Sequence, residues 1–105
     1  MNETNNSTFT IPVMADLEKL SEFHRAMGDY TRMKILWYLM EGEQCVTNLA
    51  KKMEVTESAI SHQLRTLRMV RLVRSHKVGK NVYYSLHDEH VQWILEETYA
   101  HISEM

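Results

Sequence analysis

Four side chains near the C-terminal end of the chain share a chemistry: Asp88, His90, His101 and Glu104. Two carboxylates and two imidazoles make a four-ligand N/O set suited to zinc. His90 and His101 are 11 residues apart, which is about 16.5 Å along a helix. Each must come within about 2.0–2.1 Å of the ion. One straight helix cannot bring both to one ion. Eleven residues also turn a helix through about 1,100°, only about 20° from whole turns, so the two imidazoles share a face.

Two copies of such a helix, antiparallel about a two-fold axis, bring His90 beside His101 of the partner subunit. The midpoint of His90 and His101 is 95.5, and that of Asp88 and Glu104 is 96. One dyad near Leu95-Glu96 therefore serves both pairs. It creates two equivalent Zn²⁺ sites per homodimer, each with ligands from both chains, as an isologous interface requires. Val91, Ile94, Leu95, Thr98, Tyr99 and Ile102 form a stripe at helical spacing that is suited to the seam. Asp88 points elsewhere if it is helical, so it is expected before the helix, near its N-cap. His24, His62, His76 and His87 have no such partners and are not read as ligands.

The elements that must position these residues follow from periodicity and punctuation. Leu17, Leu20, Phe23 and Met27 predict a helix over 15–27. Gly28 can end it, and Asp29 can cap a second helix running to about Met40, which Gly42 breaks. A short helix follows, roughly Val46 to Lys52. After a turn at Glu54-Val55, Thr56 is the expected N-cap of a helix to about Met69. Val70 to His76 and Val82 to Leu86 read as strands of a hairpin around Val78-Gly79-Lys80-Asn81. A last helix covers about Glu89 to Ser103. The fold class is mainly α with a small β-hairpin, in the order of a winged helix-turn-helix. Residues 1–14 are expected to form a flexible N-terminal arm, and 15–105 a single winged helix-turn-helix domain.

Charge is unevenly spread. The formal net charge is −2, which by itself does not mark a nucleic-acid binder. Residues 51–80, however, hold eight Lys/Arg against two Asp/Glu, and residues 85–105 hold five acids and no Lys or Arg. On a helix from Thr56, Ile60, Leu64 and Leu67 fall on a core side. Ser58, Ser61, His62 and Arg65 fall on the opposite side. Small hydroxyls, an imidazole and a guanidinium can reach base edges when a helix enters the major groove. Arg68, Arg71, Arg74, Lys77 and Lys80 carry the charge into the hairpin, where it would hold phosphates.

Other classes fit less well. Six consecutive apolar residues from Ile35 to Met40 form the longest such run, too short for a membrane span. The N-terminus lacks the basic and apolar regions of a signal peptide. The single Cys45 makes no internal disulfide and fits a reducing cytoplasm. A zinc hydrolase needs an open coordination position. Four protein ligands would close it, and no nucleophile motif or phosphate loop is evident. Neither an enzyme nor a small-molecule substrate is expected. A metal-independent winged-helix transcriptional regulator is the alternative that metal titration separates.

Three stretches resemble the ArsR/SmtB family of metal-responsive winged-helix repressors. They are Met27 to Leu36, with Tyr30 where the family usually has Pro; Ser58 to Leu64, similar to its recognition helix; and Asp88-x-His90 with His101-x-x-Glu104, similar to the C-terminal-helix site of its zinc sensors. The resemblance covers about residues 15–105. It implies that Gln63 joins Ser58, Ser61, His62, Arg65, Arg68, Lys77 and Lys80 in contacting double-stranded operator DNA, an inverted repeat. It also implies that the metal-free dimer represses, and that zinc allosterically weakens DNA binding and releases genes for metal efflux or resistance. One departure is informative. Where some relatives carry Cys-x-Cys before the recognition helix, this chain has Cys45-Val46-Thr47. A thiolate-rich second site is therefore not expected.

Overall fold

A computed structural model describes residues 9–104. The elements in chain order are α1 (Met14–Gly28), α2 (Tyr30–Leu39), β1 (Gln44–Cys45), α3 (Val46–Met53), α4 (Glu57–Met69), β2 (Val73–Val78), β3 (Asn81–Leu86) and α5 (Glu89–Ser103). Most of the arm expected over 1–14 lies outside the described residues.

The starts of α2, α4 and α5 follow side-chain chemistry. The first N–H groups of a helix have no intrahelical acceptor, and short polar side chains satisfy them. Asp29 accepts from Arg32 N at the start of α2. Thr56 accepts from Ala59 N at the start of α4. Asp88 accepts from His90 N and Val91 N at the start of α5. It stands before the helix, as the wheel required.

Two helices end on a pattern that the sequence conceals. Glu54 is left-handed at φ 57°, and Arg71 at φ 63°. After α3, Val55 N–H donates to Ala50 C=O and Glu54 N–H to Lys51 C=O. After α4, Leu72 N–H donates to Leu67 C=O and Arg71 N–H to Arg68 C=O. Both are Schellman closures, which usually announce themselves with Gly. Here no Gly does so. The turn at Arg71 also uses up residues expected to begin a strand at Val70, so β2 starts at Val73.

The sheet has three antiparallel strands in the order β1-β3-β2, one more than the expected hairpin. Val73 pairs with Leu86 and Val78 with Asn81, which leaves Gly79-Lys80 as a two-residue turn. Gly79 takes φ 62°, and a leading Gly with positive φ suits a type II′ hairpin. β1 adds Gln44 opposite Tyr84 and Cys45 opposite Tyr83.

Ile35, Leu36, Leu49, Ile60, Leu64, Leu67, Leu72 and Leu95 form the sealed centre of the core. Burying each such side chain is worth about 1.5–3 kcal/mol. With three of them on α4, that helix can present only one face to the core. The ends of the molecule behave differently. Residues 14–22 of α1 and 96–104 around the end of α5 are exposed throughout. The Cα radius of gyration is 16.1 Å, against about 13 Å for a compact domain of this size.

Candidate metal and nucleic-acid sites

The four candidate ligands occupy the two ends of α5, and all are exposed. Asp88 is the N-cap, and three nitrogens converge on its Oδ1. That oxygen accepts from His90 N at 2.9 Å and Val91 N at 3.4 Å. It also lies 3.4 Å from His90 Nδ1. Desolvation raises the Asp88 carboxyl, but contacts from the His90 side chain and the Val91 and His90 N–H groups outweigh it. They hold the group below its ordinary range.

His101 is in the last turn of α5, and Glu104 follows at its C-cap. A carboxylate is unfavourable there, because unpaired carbonyls give a helix C-terminus partial negative charge. A bound cation would offset that repulsion. The donor set of two carboxylates and two imidazoles fits a tetrahedral zinc ion. Among the described residues, no three His, Cys, Asp or Glu side chains gather as a metal site within one chain. The structure brings Asp88 to His90 but leaves that pair a helix length from His101 and Glu104.

The expected seam needs correction. Val91 and Leu95 are 3% and 1% exposed and belong to the chain's own core, because the first half of α5 packs on the domain. Only the later part of the stripe is open: Tyr99 is 63% and Ile102 64% exposed. Tyr99 also meets Trp37 of α2 edge-on, with ring centroids 5.6 Å apart. Other exposed apolar side chains include Trp93 of α5 and Met14, Leu17 and Leu20 of α1.

The second candidate surface runs from α4 to the β2–β3 turn. Ser58, Ser61, His62, Arg65 and Arg68 are exposed on α4, opposite the buried Ile60, Leu64 and Leu67. Lys77 and Lys80 are exposed on the hairpin. Arg68 Nη1 donates to Ser75 Oγ at 3.0 Å, tying the helix to β2. Arg74 Nε reaches Ser85 Oγ at 3.5 Å across the strands. Lys52 is partly neutralised by Glu41 at 3.3 Å. On β2, His76 Nδ1 lies 2.9 Å from Glu43 Oε2.

Gln63 differs from its neighbours. It is half-buried, and its Oε1 accepts from Arg32 Nη1 at 3.1 Å. The same guanidinium donates through Nε to Ala26 C=O at 2.8 Å. Sequence reasoning missed Arg32. Its partners lie 6 and 31 residues away, and local periodicity carries no signal for the longer contact.

Residues 29–75 match the bacterial regulatory protein, arsR family. The chain is 46% identical over 87 residues to a transcriptional repressor SmtB homolog of Synechocystis sp., a match covering 83% of this chain and 66% of that protein. It thus spans just under two thirds of that relative's length. It is 39% identical over 87 residues to a cadmium resistance transcriptional regulatory protein CadC homolog of Staphylococcus aureus, covering 82% and 72% of the two chains. The fold is similar to a homodimeric winged helix-turn-helix DNA-binding domain from Mycobacterium bovis. There the TM-score is 0.84 at 22% identity, over 97% of this chain and 92% of that one. Among the described residues, no helix is long and apolar enough to cross a membrane.

Proposed function

The chain belongs to the arsR family of bacterial regulatory proteins, and from that premise we propose that it is a zinc-responsive transcriptional repressor acting in the cytoplasm. A homodimer binds an inverted-repeat operator in its metal-free state. Zinc loading releases the operator and derepresses metal efflux or resistance genes. The relatives named above are regulators of transcription, and the SmtB homolog is a repressor.

One observation carries the metal half of this reading. Asp88 with His90, and His101 with Glu104, are exposed pairs at opposite ends of one 15-residue helix. Neither pair alone completes a tetrahedral site. Two antiparallel copies of α5 would complete two. The exposed Leu17 and Leu20 of α1 and Tyr99 and Ile102 of α5 support pairing, since exposed apolar side chains favour a partner.

Asp88 would bind through the oxygen not used for capping. His90 and His101 would each offer a neutral ring nitrogen, and Glu104 a carboxylate. Zinc, when bound, supplies positive charge and a rigid tetrahedral link between chains. The bridged α5 helices would fix the relative orientation of the two domains, and with it the two α4 helices. Operator half-sites are about 34–36 Å apart, one turn of DNA. A dimer arrangement that misplaces the α4 helices loses affinity. On the DNA face, Ser61, His62 and Arg65 would meet base edges, while Arg68, Lys77 and Lys80 would hold phosphates.

The test is an operator titration at fixed salt, with and without zinc, on wild type and His101→Ala. Zinc should weaken operator binding by wild type and leave that of the variant unchanged. Coupling is reciprocal, so operator DNA must weaken zinc binding by the same factor. Equal zinc affinity for free and DNA-bound protein would sink the account.

A further inference from the structure

We infer that Arg32 is a positioning residue for operator recognition. It would hold α4 in register with α1 through Gln63, and it need not touch DNA itself. This rests on the DNA-binding reading proposed above. Three observations carry it.

The first is geometric. The Arg32 guanidinium bridges two elements, with Nε on Ala26 C=O at 2.8 Å and Nη1 on Gln63 Oε1 at 3.1 Å. Arg32 is itself held at the N-terminus of α2, where its backbone N–H donates to Asp29 Oδ2 at 3.1 Å. One side chain therefore joins the end of α1, the start of α2 and the middle of α4.

The second is the state of the groups it bridges. Ala26 is in the last turn of α1, where carbonyls have no intrahelical donor. Ala26 is also buried, so its carbonyl depends on Arg32. Hydrogen bonds to a charged group in such surroundings are stronger than neutral ones. Arginine's planar fork can serve two acceptors in fixed directions, and a lysine ammonium on a flexible stem cannot reproduce that fork.

The third is the place of Gln63. It lies between the buried face of α4, with Ile60, Leu64 and Leu67, and the exposed face, with Ser61, His62 and Arg65. Apolar packing fixes which face of α4 points outward, but it tolerates small rotations and slides. A directional contact at the boundary of the two faces removes that freedom. The α1 helix that it holds carries the exposed Leu17 and Leu20. The contact thus links the recognition face to a helix that is exposed along most of its length.

The prediction separates positioning from packing and from direct readout. Arg32→Lys, Gln63→Met and the double variant are measured on operator and on non-operator duplex at one salt concentration. Melting temperature and zinc affinity are measured in parallel. Each single variant should lower the operator to non-operator affinity ratio by about tenfold, as expected for loss of one charge-assisted contact. The double variant should lose no more than the worse single, because both remove one interaction. Zinc affinity should not change.

Additive losses overturn the proposal. So does loss of the ratio in Gln63→Met alone, which would make Gln63 a direct reader of bases. Equal weakening on both duplexes, with a lower melting temperature, would make Arg32 only a packing residue. If Arg32→Lys does not fold, Gln63→Glu is compared with Gln63→Met. Glu keeps an acceptor for Arg32 and should keep the ratio, while equal loss in both overturns the inference. Wild type failing to prefer operator would instead refute the DNA-binding reading.

Discussion

Asp88 Oδ1 accepts the backbone N–H of His90 at 2.9 Å and also lies 3.4 Å from that residue's Nδ1. One carboxylate thus caps α5 and orients the imidazole beside it. The two roles can be separated. Ser is as good an N-cap as Asp but offers no carboxylate to a metal. Asp88→Ser should fold with a melting temperature near that of wild type and lose most zinc affinity. Even outer-shell losses cost about 10- to 100-fold, so removing a ligand should cost at least about 100-fold. Asp88→Ala should lose the zinc affinity and also melt several degrees lower. Unchanged zinc affinity in Asp88→Ser, by competition titration, removes Asp88 from the site.

The same carboxyl gives a pH dependence with a definite sign. Its folded-state pKa is held below the ordinary value of 3.8. Its contribution to stability is therefore complete above the ordinary carboxylate range and is lost as pH falls through the folded value. At about pH 5, just above the ordinary carboxylate range, the stability difference between wild type and Asp88→Ala should be at its full value. Below the ordinary range it should shrink. Thermal melts of metal-free protein across that range check this, and a difference that grows on acidification contradicts it.

The proposed inter-chain arrangement makes a stronger prediction. Homodimers of His90→Ala or of His101→Ala lack a ligand in both sites. A mixed dimer of the two variants pairs the intact Asp88 and His90 of one chain with the intact His101 and Glu104 of the other. Mixing the two inactive variants should restore tight binding of one zinc per heterodimer. Metal content after subunit exchange measures it. If all four ligands came from one chain, mixing would restore nothing.

The α4 face also makes separable claims. Arg65→Ala and His62→Ala should each weaken operator binding by about tenfold or more and leave zinc affinity unchanged. Lys77→Ala and Lys80→Ala should weaken operator and non-operator binding alike. Each should also reduce the salt slope of binding by about one unit. Arg68→Ala should do more than either lysine change, because its guanidinium also ties α4 to Ser75 of β2. Unchanged operator affinity in both Arg65→Ala and His62→Ala would place the recognition face elsewhere.

What the sequence disclosed follows from the range of the forces involved. The faces of α4, and the caps Asp29, Thr56 and Asp88, act within one or two helix turns and were legible in spacing. The left-handed closures at Glu54 and Arg71 were not, because neither uses Gly. That concealment is why a strand was expected at Val70, three residues early. β1 escaped notice because it is two residues long and its core position holds Gln44. The contact between Arg32 and Gln63 spans 31 residues and depends on the packed fold. For the candidate metal site, the residue types and their spacing were readable. The packing of Val91 and Leu95 on the chain's own core was not, since an apolar stripe does not say which neighbour covers it.

Gln44 offers a test of the fold independent of DNA and metal. It is 5% exposed, and its Nε2 donates to Tyr38 C=O at 2.8 Å. Its Oε1 is buried with no hydrogen-bond partner among the described residues. An unpaired buried polar atom costs about 1–3 kcal/mol, while a neutral hydrogen bond returns about 0.5–1.5 kcal/mol. Tyr38 C=O would not be orphaned by losing Gln44, because Glu41 N–H also donates to it at 3.1 Å. The pairing of Gln44 with Tyr84 runs through backbone and survives a side-chain change. Gln44→Leu, of similar size, should therefore stabilise the fold by about 1 kcal/mol, after subtracting the lost bond from the relieved penalty. For a domain of this length that is a rise in melting temperature of about 4–8 °C. Denaturant and thermal unfolding of metal-free protein measure it at fixed protein concentration. A loss of about 1 kcal/mol or more would mean that Oε1 has a partner, such as a buried water.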